Sequence, residues 1–549
     1  MPDLDDLLAE ARASYSRRDW TVAYRSLAAV REQQSLTADD LHAMADAAWW
    51  LGLVKETMTI SEECHQHFLA EGRPLRAAMN ALGIGFDWFL RGEVAIGSGW
   101  LSRARRLIEQ HPDSAESGFL VWIDTAAALE AGKLDSALVG ALQVQEIGRR
   151  FGSPTLVCLG LASEGIVTIR RGRVAAGFAL LDEAMLPVLA GQLEPEWAGN
   201  IYCELMGVCH DLADIDRARQ WTAATERWCE GFPSAVMFVG ICRMHRIQLL
   251  RIGGDWARAQ AEASIACEEL ADLNVAVVGE AHCQLAELRR LRGDLVGAEQ
   301  AYRRARELGR DPQPGAALLL LAQGRPGDAA AAVRTALADR AHDPFRRARL
   351  LAAYVEIALA GDDLGSAVDA SQQLRNIADT FASAGFLAWA DHVRGAVLLA
   401  QGKPGAALQV LRAALRAYSE MGAPYDAATV RILIGEAHQL LGDADAATLE
   451  YDAATATYVK LGAQLPVGRL VEPPRAVDLP GGLTDREAEV LAQIAGGASN
   501  KQAAAALFIS EKTVARHLAN IFAKLGLGSR TAAASWAYEH QLRRPRQGA

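Results

Sequence analysis

Apolar residues recur at spacings of three and four along most of the chain, and alternation at every second position does not occur before Gly462. Spacings of three and four place apolar side chains on one face of an α-helix. The same segments are rich in Ala, Leu and Arg, which favour helix formation. The pattern therefore predicts an all-α protein whose large N-terminal part contains no sheet.

Short breaks divide these helical segments at intervals of about 40 residues, which indicates an internal repeat. Each break is usually a Gly followed by a polar or small residue, and we expect it to join the two helices of one hairpin. The breaks lie at Gly52, Gly92, Gly132, Gly172, Ala213-Asp214, Gly254, Gly293, Gly324, Gly361, Gly402 and Gly442.

Small residues stand at fixed places around the best breaks, where they would let the two helices cross closely. Around Gly293 and Gly442 these places hold Ala286, Ala298 and Ala305, and Gly435, Ala447 and Ala454, with Tyr302 or Tyr451 one turn beyond the crossing. This pattern, over roughly residues 10–460, resembles the tetratricopeptide repeat, with longer helices than its usual ~34-residue unit implies. Such arrays form a superhelix whose concave face is built from the first helices of the hairpins, and we expect ligands or partners there.

Aromatic residues of the early first helices are candidates for lining that concave groove, although an ordinary place in the core is the more common fate of such stripes. The candidates are Trp49, Trp50, Trp88 and Trp122. A second open question concerns Cys203, Cys242 and Cys283, which occupy similar places in successive first helices near histidines. Two interpretations are open: these cysteines form a thiol or metal sensor, or they are buried as ordinary small apolar residues.

Charge and proline divide the chain into a body, a linker and a tail. From Gly481 onward the chain contains nine Lys/Arg and five Asp/Glu, a net charge of +4. The remaining 47 basic and 62 acidic residues give the rest of the chain a net charge of −15. Four of the 18 prolines fall within residues 462–482, which favours extended backbone. We predict a repeat domain at 1–461, a linker at 462–482 and a basic module at 483–549 that meets a polyanion.

Capping signals in the tail predict short helices that follow one another at tight turns. Thr484 with Glu487, and Ser499 with Gln502, each form a capping box, and Ser510 caps a third helix. A fourth helix is expected from Ser529-Arg530 to near Leu542. A short helix, a turn and a second helix form the arrangement that many DNA-binding domains use.

The third tail helix has two contrasting faces at 100° per residue. Val514, Leu518, Ile521 and Leu525 form the apolar face. The opposite face carries small residues around a long donor, so that the backbone can approach a groove floor while Arg516 makes a bidentate contact to guanine. The expected base-contacting residues are Lys512, Ala515, Arg516 and Ala519.

These residues together resemble the LuxR-type helix-turn-helix over about 60 positions. The resemblance rests on Leu483-Thr484, Arg486-Glu487, Ser499-Asn500-Lys501, Ile509-Ser510, Thr513-Val514, His517, Ile521, Lys524-Leu525-Gly526 and Arg530. It implies phosphate contacts by Asn500, Lys501, Ser510, Thr513, Lys524 and Arg530. It also implies pairing of two protomers through the fourth helix, with Ala533, Trp536 and Ala537; packing of Trp536 within the module is the alternative.

The fold class expected from the sequence is therefore a tetratricopeptide-like α-solenoid followed by a four-helix LuxR-type module. The function that follows is a transcriptional regulator whose repeat domain senses a protein or small-molecule effector and controls a dimeric DNA reader. Its expected partners are double-stranded DNA, that effector, RNA polymerase and a second copy of the chain. A repeat scaffold whose tail binds protein is the alternative.

Several functional classes are not expected. No G-x-x-x-x-G-K-[ST] phosphate loop and no nucleophile-and-base motif occurs, so we expect neither an enzyme nor a cofactor. The acidic start and the lack of ~18 continuous apolar residues favour a cytoplasmic protein without a membrane segment.

Overall fold

The computed structural model of the chain describes residues 4–230, 236–339, 343–465, 480–507 and 509–540. Within these ranges the ordered elements are helices, and no β-strand occurs. The all-α prediction is confirmed. Most of the expected linker, residues 466–479, lies outside the described residues, as do the last residues of the tail, 541–549.

Twelve antiparallel helix pairs form the body up to Leu461 among the described residues. In the first six pairs the helices are α1 Leu4–Ser16, α2 Trp20–Arg31, α3 Ala38–Trp50, α4 Val54–Ala70, α5 Pro74–Leu90, α6 Val94–Glu109, α7 Glu116–Glu130, α8 Leu134–Phe151, α9 Pro154–Arg170, α10 Val174–Leu189, α11 Pro195–Asp211 and α12 Ile215–Cys229. In the last six they are α13 Val236–Gly253, α14 Trp256–Glu269, α15 Val275–Leu291, α16 Leu295–Glu307, α17 Gly315–Ala322, α18 Pro326–Asp339, α19 Pro344–Ala360, α20 Leu364–Phe381, α21 Ala384–Ala400, α22 Pro404–Glu420, α23 Pro424–Leu440 and α24 Ala444–Leu461.

The hairpin turns follow a local rule that links sequence to backbone geometry. A residue with positive φ ends the first helix, and in six hairpins the next residue is an Asp whose carboxylate accepts a hydrogen bond from an amide of the second helix. Glycine tolerates positive φ without steric cost, and Asp is a strong N-cap. The predicted breaks are confirmed, and the structure adds a twelfth at Arg18, where φ is 64° without glycine.

Small residues allow the two helices of a hairpin to touch. A Cβ placed on Gly435 would lie 2.5 Å from the Tyr451 ring, and one on Gly395 would lie 2.3 Å from Leu411. Ala286, which occupies the equivalent place in α15, is fully buried. The sequence-based account of the crossing, with a small residue facing a large one, is therefore confirmed.

Gly177 in α10 offers a sharp test of this close packing. A Cβ there would lie 2.5 Å from the Gly165 carbonyl oxygen and 2.5 Å from Ile169, so Gly177→Ala must push two helices apart. We expect a net destabilisation of about 1–2 kcal/mol, with overpacking outweighing the gain in helix propensity. Gly99→Ala in α6 is the matched control, since nothing lies within 4 Å of the added methyl. Denaturant unfolding of both variants should give opposite signs, and equal midpoints would contradict the packing account.

The helix pairs coil so tightly that residues far apart in the sequence meet. Arg219 donates a hydrogen bond to the Met421 carbonyl, 202 residues away, and Arg349 donates to the His210 carbonyl, 139 residues away. The Gln464 amide donates to the Leu291 carbonyl at 2.8 Å. Successive turns of the superhelix are therefore in contact, and its inner surface borders a lumen in which Arg349 and Glu356 remain exposed to solvent.

This coiling corrects the expected aromatic groove. Trp50 is 1% exposed and stacks on Trp20 at 5.4 Å, and Trp122 is 6% exposed in the main core, so neither lines a groove. Trp49 is partly buried against a cluster that includes Leu273 and donates to Asp87 at 2.8 Å. Trp88 is half-buried beneath the guanidinium of Arg91. The early aromatic side chains pack within and between units.

The thiol of Cys283 lacks the lowered pKa that a reactive sensor cysteine needs. Burial raises the pKa of Cys283 to about 12, which keeps its thiol protonated and weakly nucleophilic. The side chain of Cys242 lies outside the described residues. In the part of the chain that the structure describes, no group of three potential metal-ligating side chains comes together.

None of the described helices is both long enough and apolar enough to cross a bilayer.

Candidate nucleic-acid interface

Among its described residues, the tail contains four helices after a 3-10 turn at Pro480–Gly482. They are α25 Asp485–Ala495, α26 Asn500–Ala506, α27 Glu511–Leu525 and α28 Arg530–Glu539. The first three agree with the prediction. The fourth ends at Glu539, before the expected Leu542, which itself lies outside the described residues.

Side chains cap the first three tail helices as the sequence indicates. Thr484 accepts a hydrogen bond from the Glu487 amide at 3.2 Å, and the Glu487 carboxylate accepts from the Thr484 amide at 2.9 Å. The Ser499 and Gln502 pair makes the same reciprocal bonds at the start of α26. Ser510 accepts from the Thr513 amide at 3.1 Å, which sets the direction in which α27 leaves the turn.

Three charged side chains tie the four helices together. Lys524 near the end of α27 donates to the Glu487 carboxylate at 2.7 Å, and Glu487 is 1% exposed. Arg486 donates to the Leu507 carbonyl at 2.6 Å, and Arg530 donates to Asn500 at 2.7 Å and to the Ala498 carbonyl. Burial alone would raise the pKa of Glu487, but the Lys524 ammonium and the Thr484 amide together hold it below its usual value.

The two faces of α27 are as the sequence predicts. Val514 and Ile521 are fully buried, Leu518 is 6% exposed, and Leu525 is partly buried in the same cluster. Lys512, Ala515, Arg516 and Ala519 are all exposed on the other side. Within the described residues the Arg516 guanidinium has no hydrogen bond or ion pair to hold it against the protein. The side chain is therefore available to an incoming ligand.

The residues expected at phosphates divide into two groups. Lys501 is exposed, and Ser510 and Thr513 stand at the start of α27 with their hydroxyl oxygens 2.7 Å apart. Lys524, Asn500 and Arg530 already make contacts within the module, so their side chains also have a structural role. The ion pair of Lys524 is one that sequence reasoning missed, because Lys524 and Glu487 stand 37 residues apart. His517 is 4% exposed and packs inside the module.

The expected dimerisation residues require a correction. Ala533 and Ala537 are both fully buried among the other tail helices, so they cannot meet a second protomer. Trp536 packs partly against the same core and stacks on His540 at 4.0 Å, as the alternative held. The side of α28 away from these residues carries Thr531, Ser535 and Tyr538, and Tyr538 is 72% exposed.

Comparison with known proteins matches this module at the sequence level. Residues 482–537 match the family described as bacterial regulatory proteins, luxR family. The chain therefore carries a LuxR-type helix-turn-helix domain at its C-terminal end. An uncharacterized transcriptional regulatory protein, YhcZ, of Bacillus subtilis is 57% identical over 60 residues, and a nitrate/nitrite response regulator protein homolog of Haemophilus influenzae is 58% identical over 57.

These matches cover a small part of each protein. The Bacillus match takes in 11% of this chain and 28% of the relative, and the Haemophilus match takes in 10% and 27%. The chain thus spans little more than a quarter of the length of these relatives. Among solved structures, the crystal structure of the APC/C hetero-tetramer Cut9-Hcn1 covers 84% of this chain and 96% of its own, at 12% identity and a TM-score of 0.37.

Proposed function

We propose that the chain is a DNA-binding transcriptional regulator, with α27 as the helix that enters the major groove. One observation carries the proposal: Arg516 projects freely from a face of alanines, while the opposite face of the same helix is buried in the module. An α-helix fits the major groove, and an arginine can read guanine there through two parallel hydrogen bonds. Ala515 and Ala519 leave room for the helix to approach the base edges.

The charges around α27 support the same proposal. Lys501, Lys512 and Arg516 are exposed, and among the described residues none of them is paired with a carboxylate. Free cations of this kind release counterions from DNA when they approach phosphates. Hydroxyls of Ser510 and Thr513 at the start of α27 supply further donors for phosphate oxygens.

The remaining parts of the proposal concern the body. The division into a repeat domain at 1–461, a linker at 462–482 and a reader at 483–549 assigns sensing to the helix pairs and DNA binding to the tail. We propose that the body binds an effector and that the tail contacts RNA polymerase at promoters. The chain would act on the bacterial chromosome, in the cytoplasm, without an enzymatic step.

The test is a gel-shift titration of the full chain on duplex DNA at several salt concentrations. A reader should lose affinity steeply, with a log-log slope of roughly one unit for each phosphate contact. A protein-binding adaptor, the alternative function, should show absent or salt-insensitive DNA binding. Binding that does not change with salt would therefore reject the proposed function.

We further propose that two protomers pair through the exposed side of α28. Thr531, Ser535 and Tyr538 lie within about 60° of one another around the helix, opposite the buried Ala533 and Ala537. We expect Tyr538→Glu to reduce affinity for a two-half-site duplex roughly tenfold, with little change on a single half-site. Tyr538→Phe, which keeps the ring, is the control and should bind like the unchanged chain. Equal losses on one and two half-sites would contradict this dimer face.

A further inference from the structure

The lumen of the C-terminal half of the body contains a cavity of about 380 Å³. Its wall comes chiefly from first helices of successive hairpins, from α11 through α23. This volume lies at the low end of the ~300–1,000 Å³ typical of small-molecule sites, and it is too small for a folded partner. The apolar part of the wall includes Ile252, Val355, Trp389 and Leu433.

Two arginines of this wall have only neutral hydrogen-bond acceptors. Arg251 donates to the Gln284 side-chain oxygen at 2.8 Å, and Arg349 donates to the His210 carbonyl. Within the described residues neither guanidinium lies within 4.0 Å of a carboxylate oxygen. A third arginine, Arg290, is already paired with Glu287 at 2.8 Å. Carboxylates such as Asp211 and Asp426 act on these guanidiniums from a distance, but neither guanidinium is in a direct ion pair. Both can therefore donate hydrogen bonds to a bound carboxylate.

Two acidic residues of the same wall also lack an ion-pair partner among the described residues. They are Glu356 in α19 and Asp426 in α23. Burial raises the pKa of Asp426 to about 6, although the nearby Arg251 guanidinium acts in the opposite direction. A cation placed beside these carboxylates would stabilise their charged forms.

Two polar side chains of the wall each have a buried atom without a hydrogen-bond partner among the described residues. His210 is 7% exposed, and its Nε2 atom has no hydrogen-bond partner in the described part of the chain. The Oε1 atom of Gln248 is likewise buried without a donor. Both residues line the cavity. Buried polar atoms of this kind normally have a partner, so each of these two side chains leaves one hydrogen bond of the wall unmade.

We propose that this cavity binds a zwitterionic α-amino acid with an apolar side chain. Arg251 and Arg349 hold its carboxylate, Asp426 and Glu356 hold its ammonium group, and the apolar wall around Trp389 receives its side chain. A zwitterion offers a partner to the charged wall residues of each sign that make no direct ion pair, which a simple anion or cation does not. The role of this ligand as the effector rests on the proposed function, whereas its binding does not require DNA.

The experiment is isothermal titration calorimetry of the full chain, without DNA, against L-leucine, L-isoleucine, L-valine, L-methionine and L-phenylalanine. We expect at least one to bind with a Kd below about 1 mM. For an aromatic ligand, 3-phenylpropionate lacks the ammonium group and phenethylamine lacks the carboxylate, and each should bind at least tenfold more weakly. Failure of all five amino acids to bind at 10 mM overturns the proposal. Equal binding of 3-phenylpropionate and L-phenylalanine also overturns it.

Variants of the cavity wall test whether the amino acid binds at this site. Ala396→Phe fills the lumen from α21 and should abolish binding, whereas Ala406→Phe on the exposed side of α22 should leave it unchanged. Arg251→Gln and Asp426→Asn, which add no bulk, should each weaken binding at least tenfold, with circular dichroism confirming the fold. Binding that is unaffected by these variants rejects the cavity as the site. A gel shift of the same preparations separates this failure from a failure of DNA binding.

Discussion

Replacing Lys524 with methionine is expected to destabilise the tail module by about 2–3 kcal/mol, because the substitution leaves a buried carboxylate without its partner. Glu487 is 1% exposed, and the Lys524 ammonium lies 2.7 Å from its carboxylate oxygen. A module of about 60 residues has a total stability on the order of 3–9 kcal/mol, so the variant loses a large share of it. The measurement is hydrogen exchange of α25–α28 in the full chain.

The control for this change lies on the same helix. Lys512→Met removes a lysine that is exposed at the start of α27, and it should leave amide protection unchanged. The double variant Lys524→Met, Glu487→Gln should recover part of the stability, since no buried charge then remains unpaired. Protection equal in Lys524→Met and Lys512→Met would show that the ion pair contributes nothing.

The pH dependence of this effect follows from the lowered pKa of Glu487. A carboxylate with a lowered pKa stabilises the fold above its unfolded pKa of about 4.3, and this contribution disappears as the pH falls through the folded value. The difference between the unchanged chain and Lys524→Met should therefore be full at neutral pH and shrink below about pH 4. A difference that persists undiminished in acid would contradict the assignment to this pair.

The ion pair also changes what Lys524 means for DNA binding. The sequence places Lys524 among residues that dock on phosphates, and a simple phosphate donor would weaken all duplexes alike when removed. The structure gives its ammonium a partner inside the module. A loss of DNA binding by Lys524→Met should therefore track the unfolded fraction of the module, and low temperature should restore it.

Short sequence patterns were sufficient to predict the hairpin turns and helix caps, because these features depend on residues that are close together in the chain. The Asp residues that follow positive-φ positions, such as Asp294 after Gly293, fix the hairpin turns through backbone geometry and one capping bond. The same holds for the capping boxes at Thr484 and Ser499. These interactions span three residues, so a sequence shows them directly.

Features that depend on distant contacts were beyond such reasoning. Trp50 looks like a groove residue on a single helix, but its ring stacks on Trp20 of another unit. The cavity depends on how many hairpins complete one superhelical turn, which brings Arg349 to the His210 carbonyl. Ala533 and Ala537 have the spacing of a contact face, and only the docking of α28 on the module shows that this face is internal.

The Arg516→Ala substitution tests the proposed DNA-binding role of α27 most directly. The alanine cannot make the proposed bidentate contact to guanine, so we expect a loss of about 1–3 kcal/mol on the cognate duplex, or roughly 5- to 150-fold in affinity. Random duplex should be affected far less, because non-specific binding depends on the summed phosphate contacts. Sequence preference at the contacted base pair should relax accordingly. The cognate duplex comes from genome-wide mapping of sites bound by the full chain.

Arg516→Lys provides the matched control, because it keeps the positive charge and removes the planar fork. We expect it to bind random duplex like the unchanged chain and to lose a substantial part of cognate affinity, since a lysine reads guanine with less geometric specificity. Arg516 is exposed, so neither variant removes packing within the module, and we expect both to fold like the unchanged chain. Equal losses on cognate and random duplex for Arg516→Ala would remove its role in base recognition and leave it as a phosphate contact.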